Sequence, residues 1–349
     1  MPDRSGEGPG PGEGTGPHLE GDHPAAPAAE DDALSETSRG RHAWRPYGIQ
    51  LAGWRDITIR AGRRIGPDLF PLIAAGIAFF GMLALFPAIA MLAALAGMLF
   101  EPDIVVRQIE SLQGVVPPEP LAVVRDQAVA LTGQATGRAT TTALVSLGLS
   151  LFWASRGIDN LISGMNMAHA EAETRNIIVR NFMSLWLTGA IGLMALLVTA
   201  FALVIPSLAE TLGLAGWSGR IVTAGRWLLL ALLSMAALGL IYRYAPARRP
   251  PRWSWVTPGA ILATALWLGG SWLFFAFVRN IASYQPTYGT LAGVVILLLY
   301  IWLTAFVVLL GAVFNAEMEH QSACDTTRGP VRPMGQRHAE MADTLGRKP

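Results

Sequence analysis

Arg156, Asp159, Asn160, Ser163 and Asn166 stand at i, i+3, i+4, i+7 and i+10 of one helical segment, which places all five within about 120° of the helix circumference. The residues before them, 139–153, are almost wholly apolar. A charge near the middle of a membrane helix costs roughly 2.5–3.5 kcal/mol on insertion scales, so such groups turn inward and find partners. Arg156 with Asp159 is the expected internal pair. The stripe then reads as a polar vestibule opening to the cytoplasm; the alternative is that it marks the emerging end of the helix and locks it to its neighbours.

A second set converges at the same level. Asn315 and Glu317 lie where the last apolar run ends, and Arg175, Arg180 and Arg243 reach that end from other segments. Together they suit an ion-pair network between helix ends, or a site for a phosphate or an anionic lipid headgroup, with Arg243 as the contact to the anion. Enzyme signatures are missing: there is no P-loop, GxSxG elbow or HExxH, and Cys324 is the single cysteine. Of six histidines, three sit near the N-terminus, His338 is in the C-terminal tail, and His169 and His320 stand alone. No metal site, cofactor or catalytic constellation is expected. The free thiol of Cys324 rules out an intrachain disulfide.

The elements that must position these groups are membrane helices. The 349 residues are 52% hydrophobic and 15% charged with mean hydropathy +0.40, against about a quarter charged in soluble domains. Six apolar runs, at 73–100, 139–166, 182–206, 221–242, 256–278 and 289–314, are each long enough for a hydrocarbon core of about 30 Å. The chain therefore reads as an all-α polytopic bundle. A net charge of +1 argues against nucleic acid as a partner and leaves membrane lipids; the oligomeric state is not legible.

Arginine placement sets the orientation. Arg55, Arg60, Arg63 and Arg64 precede the first run, and Arg243, Arg248, Arg249 and Arg252 fill the loop between the fourth and fifth. Both clusters lie on the side of the termini, which predicts N-in and C-in. Residues 1–45, rich in Gly, Pro and acids, read as a disordered tail. Residues 46–72 suit an amphipathic helix on the inner leaflet, 73–319 form the membrane domain, and 320–349 read as a flexible tail. The loop between the first two runs has helical spacing around Pro117-Pro118 and predicts two short amphipathic helices. Pro87 falls mid-run and predicts a kink. Pro258-Gly259 reads as a helix entry, followed by a close-packing face of Gly259, Ala260, Ala263, Gly269 and Gly270.

In order and spacing these segments resemble the YihY/BrkB family of bacterial inner-membrane proteins, called ribonuclease BN-like in an early naming. The likeness rests on Ala74-Ala75-Gly76-Ile77-Ala78-Phe79-Phe80 with Leu85-Phe86-Pro87, then Trp153-Ala154-Ser155-Arg156-Gly157-Ile158 and Met165-Asn166-Met167-Ala168. Glu173 and Arg175, Tyr242-Arg243 with Pro246, Pro258-Gly259-Ala260, Tyr284, Thr287-Tyr288-Gly289-Thr290-Leu291 and Gly311 continue it. One departure is Val313, where the family usually carries an acid; Glu317 and Glu319 stand nearby. The resemblance implies a six-helix bundle in the bacterial cytoplasmic membrane and no settled activity. Transport or lipid handling is the leading expectation, a non-transporting scaffold the alternative, and a ribonuclease the least supported by this histidine inventory.

Overall fold

The computed structural model describes residues 39–99, 136–211, 217–281 and 289–348. A 3₁₀ turn, Pro46–Gly48, leads into α1, Leu51–Arg64. Six long helices follow: α2, Phe70–Leu99; α3, Thr136–Ala168; α4, Ile177–Thr211; α5, Trp217–Tyr244; α6, Trp253–Ile281; and α7, Gly289–Glu319. A single turn, α8, spans Glu340–Asp343. Five predicted runs fall wholly inside one long helix each and the first, 73–100, does so up to Leu99, where the described segment ends; the helices extend past the apolar runs at the arginine-rich end.

Length and composition fit membrane crossing. Phe70–Met91, Ile177–Val198, Trp253–Arg279 and Ala292–Glu319 are long and apolar enough to span, and α5 adds a shorter apolar stretch, Leu228–Tyr244. The polar stripe sets α3 apart. Large apolar side chains such as Leu193, Leu196, Trp272, Leu273 and Phe277 point outward, which water would penalise and lipid accommodates.

Each long helix packs against the next in sequence, and α7 closes the ring on α2 while also touching α3. Small residues allow the closest crossings. A Cβ on Gly157 would touch Phe80 and the α2 backbone. One on Gly311 would fall 2.2 Å from the Tyr242 hydroxyl and 2.8 Å from the Gly259 carbonyl, so α5, α6 and α7 meet at these two glycines. There the Tyr242 hydroxyl donates to the Val308 carbonyl at 2.9 Å. Phe70, Ile162, Met165, Leu187, Tyr242, Val256 and Leu309 fill the core.

Four sequence expectations need correction. Pro258 does not open a helix: α6 begins at Trp253 and Pro258 lies within it. Its neighbour Gly259 donates its amide to Asn315 Oδ1 at 2.8 Å, and Asn315 Nδ2 returns a bond to the Val256 carbonyl at 3.1 Å. The side chain of α7 thus repairs a helix disturbed by proline. α1 does not lie free on a leaflet but docks on the end of α7, burying Ile57 and stacking Trp54 on Phe314 at 5.8 Å. Two of its four arginines, Arg60 and Arg64, pair with Glu317.

Residues after α7, expected to be flexible, fold back onto the arginine-rich end. Gln321, Ser322, Asp325, Thr326 and Thr327 are buried. Backbone bonds tie Ala323 to Arg41, Arg252 to Thr326 and Arg328 to Pro250. Arg337 donates to the carbonyls of Ala323, Cys324, Arg332 and Ala342. Polar composition concealed this because the segment is held by hydrogen bonds to backbone, not by an apolar core. Arg39–Arg45, the end of the expected disordered tail, join the same layer. The rest of that tail, the two loop helices, Tyr284 and Tyr288 lie outside the described residues.

Candidate functional site

The fourth correction concerns the central pair. Asp159 does not meet Arg156; it accepts from Nε and Nη2 of Arg180, in the first turn of α4, at 2.6 and 2.8 Å. Arg180 adds a bond to Ser163 Oγ at 3.0 Å. A guanidinium arriving from another helix presents its fork to both carboxylate oxygens, a stronger arrangement than a same-helix pair. Arg156 is exposed and lies over the Phe152 ring at 5.3 Å. Asn160 bonds the Arg156 carbonyl and sits beside Gly76 in the α2–α3 seam.

Two further carboxylates are held at the rim. Glu317, buried on the last turn of α7, accepts from Arg60 Nε at 2.7 Å and Arg64 Nη1 at 3.2 Å, both on α1. Arg64 also donates to the carbonyls of Met167 and Ala168, satisfying the open end of α3 where a cation is favoured. Glu319 receives both terminal nitrogens of Arg248 at 2.9 and 2.6 Å, with both side chains 1% exposed. Asn166 bridges Glu173 and the Ala247 amide, while Glu173 holds Arg175. Arg60 and Arg64 are an i, i+4 pair aimed at one acid, a spacing that could have exposed their role in the sequence; Arg248 had no such cue.

Between these pairs runs a groove of about 670 Å³. Ser163, Asn166 and Glu317 line it, together with Arg64, Asp68, Met167, Ala170, Glu171, Glu173, His320 and Met341. Arg156, Asp159, Asn160, Arg243 and Asn315 do not. The groove is therefore more acidic than basic, the reverse of what an anion-holding vestibule requires. Burial holds the Glu171 carboxyl above its ordinary value, against the bond from the Glu340 amide. Burial also pushes His169 well below the usual imidazole range, with Arg248 adding to the effect. His169 Nδ1 then donates to the Met165 carbonyl at 2.9 Å as the neutral ring.

Two other spaces complete the picture. An apolar cleft of about 360 Å³ lies between α4, α5, α6 and α7, lined by Ile191, Met194, Val198, Ala237, Leu238, Ile241, Ala263, Trp267, Thr304 and Val308 among others. A basic pocket of about 450 Å³ holds Arg175, Arg243, Arg248, Arg249 and His338. Among the described residues no cluster of His, Cys, Asp or Glu could hold a metal ion.

Several family-motif positions make ring and backbone contacts. Phe79 is exposed and meets Phe80 edge-on, and Phe80 stacks on Trp153. Ser155 bonds the Phe152 carbonyl. α2 runs through Pro87, Gly289 begins α7, and Val313 is fully buried.

A ring of long apolar helices, closed at one end by ion pairs, defines a polytopic integral membrane protein. The chain belongs to the BrkB family: residues 61–334 match the family described as Virulence factor BrkB. A Bacillus subtilis protein named "Putative ribonuclease-like protein YfkH" is 30% identical over 250 residues, covering 70% of this chain and 88% of that one. UPF0761 membrane protein Smlt0865 of Stenotrophomonas maltophilia is 38% identical over 101 residues, 27% of this chain and 24% of the relative. A UPF0761 membrane protein of Tolumonas auensis is 34% identical over 102 residues, 29% of this chain and 33% of its own length. No solved structure matches.

Proposed function

We propose that this protein handles membrane lipids, taking an acyl chain into the cleft between α4 and α7. The observation that carries this reading is the cleft itself. It is lined almost wholly by apolar side chains, and its α4, α6 and α7 walls belong to stretches apolar enough to span a membrane. A space of that kind excludes ions and sugars, which would lose hydration without replacement, and accepts a hydrocarbon chain. The acidic groove is a separate opening at the rim.

The test is transbilayer movement of fluorescent phospholipids in vesicles reconstituted with the full chain. Wild type is expected to exceed protein-free vesicles. Ala237→Phe, which fills the cleft with a ring, should reduce the rate roughly tenfold, the equivalent of about 1.4 kcal/mol, while melting like wild type. Movement no faster than in protein-free vesicles, or unaltered in Ala237→Phe, overturns the proposal.

A second reading, a non-transporting scaffold, draws on a different observation. Asp159, Glu317 and Glu319 are each consumed by arginines from other elements, an arrangement that serves rigidity. It predicts variants that lose stability and alter no lipid movement.

A further inference from the structure

We propose that the basic pocket beside the α5–α6 loop binds a phosphate group, and that the group belongs to a lipid whose chain enters the neighbouring cleft. The first half stands on the arginines; the second rests on the lipid-handling reading.

Arg243 is 3% exposed, and a guanidinium keeps its charge at any physiological pH. Among the described residues its partners are the Pro251 carbonyl at 2.6 Å and the faces of Trp253 at 4.7 Å and Tyr244 at 5.6 Å. No carboxylate among the described residues pairs with it. A carbonyl and ring faces return only part of the hydration a buried cation gives up. Arg175, Arg248 and Arg249 do face carboxylates, yet each is incompletely used. Arg175 Nη1, Arg243 Nε, Arg248 Nε and Arg249 Nη1 are all buried without a hydrogen-bond partner among the described residues; the nearest acid to Arg249 Nη1 is Asp325, at 3.9 Å.

These four side chains line one space of about 450 Å³ with His338, and no Asp or Glu lines it. Four guanidinium groups around one small cavity with no acid in its lining match a tetrahedral oxyanion, whose oxygens accept from several directions. The site is also built. Gly329, at φ +104°, has no Cβ, and one placed there would fall 2.5 Å from Arg249 Nη2. The backbone of Arg249 is fixed by the His338 carbonyl at 3.2 Å.

The case for a lipid source is placement. Ile241 lines the apolar cleft and Tyr244, three residues on and on the same face of α5, the basic pocket, about 4.5 Å apart along the axis. On α4, Met183 lines the pocket and Ile191 the cleft, about 12 Å apart. Charge and hydrocarbon space therefore follow one another down the same α4–α5 face, in the order of a phospholipid's headgroup and chain.

The experiment uses the full chain in detergent. Native mass spectrometry measures retained phosphatidylglycerol against phosphatidylcholine, and thermal melting measures binding of inorganic phosphate. Wild type should retain phosphatidylglycerol about tenfold better, and inorganic phosphate should displace it. Arg249→Gln, at the rim of the pocket, should lose this selectivity while melting like wild type without ligand; Arg249→Lys should restore part of it. Arg243→Gln should lose binding too, but Arg249 keeps the test valid if that variant does not fold. Phosphate binding that depends on Arg249, without lipid selectivity, supports the pocket and assigns a soluble source. Lipid selectivity that survives Ala237→Phe supports the pocket while the cleft reading fails. Neither ligand binding wild type, or both binding Arg249→Gln unchanged, overturns the proposal.

Discussion

At the scale of single residues, polar side chains here work chiefly on other elements' backbones and charges. Asp325 instead works within its own segment. Burial alone would raise its carboxyl, but bonds from the Thr327 hydroxyl and from the Arg332 and Thr327 amides, with the charge of Arg337, hold it below the usual carboxylate value. A depressed folded-state value contributes stability above the unfolded carboxylate pKa of about 3.9 and loses it as pH falls through the folded value. The segment after α7 should therefore undock in acid below about pH 4. Limited proteolysis across pH 3–7 checks this, and Asp325→Asn should be cut readily already at neutral pH. On the α3 stripe, Asp159 and Ser163 meet Arg180 and Asn166 meets Glu173 while Arg156 meets a ring, because periodicity places residues around one helix and says nothing of which arginine another helix will deliver.

At the scale of elements, the apolar runs located all six long helices because hydrocarbon thickness constrains length directly. What they could not locate was α1. Its mixture of Trp, Ile and Arg suits a leaflet and suits a docking site equally, and the decision is made by Glu317, which lies far away in sequence. Removing one partner of a buried ion pair leaves the other charges uncompensated, at about 3–5 kcal/mol. Glu317→Ala should destabilise the protein by that order in denaturant melts and expose α1 to protease, whereas Arg156→Ala, exposed at the surface, should leave stability within about 0.5 kcal/mol of wild type. Equal losses in the two variants would contradict the ion-pair geometry.

At the scale of the whole molecule, the ring of α2 to α7 collects the paired carboxylates, the groove and the basic pocket at one end, the end that the arginine bias assigns to the cytoplasm. The single thiol tests the assignment. Cys324 is partly exposed in the docked segment, so a membrane-impermeant maleimide should label it in inside-out vesicles and leave it unlabelled in intact cells. Labelling of intact cells would invert the bundle. Membership of the family and residence in the membrane were readable from the sequence, since both depend on runs and motifs. The pocket was readable only in part: Arg175 and Arg243 were placed at this end, but Arg248 and Arg249 of the α5–α6 loop and His338 from beyond α7 join them only on folding.

That last dependence orders events during biosynthesis. Arg249 is held by His338 and makes room for itself over Gly329, and Thr326 covers Glu319, yet all three of these residues are translated after α7. A nascent chain can thus have every helix inserted while its anion pocket still lacks a wall. The lining of that pocket is therefore complete only once synthesis has passed His338.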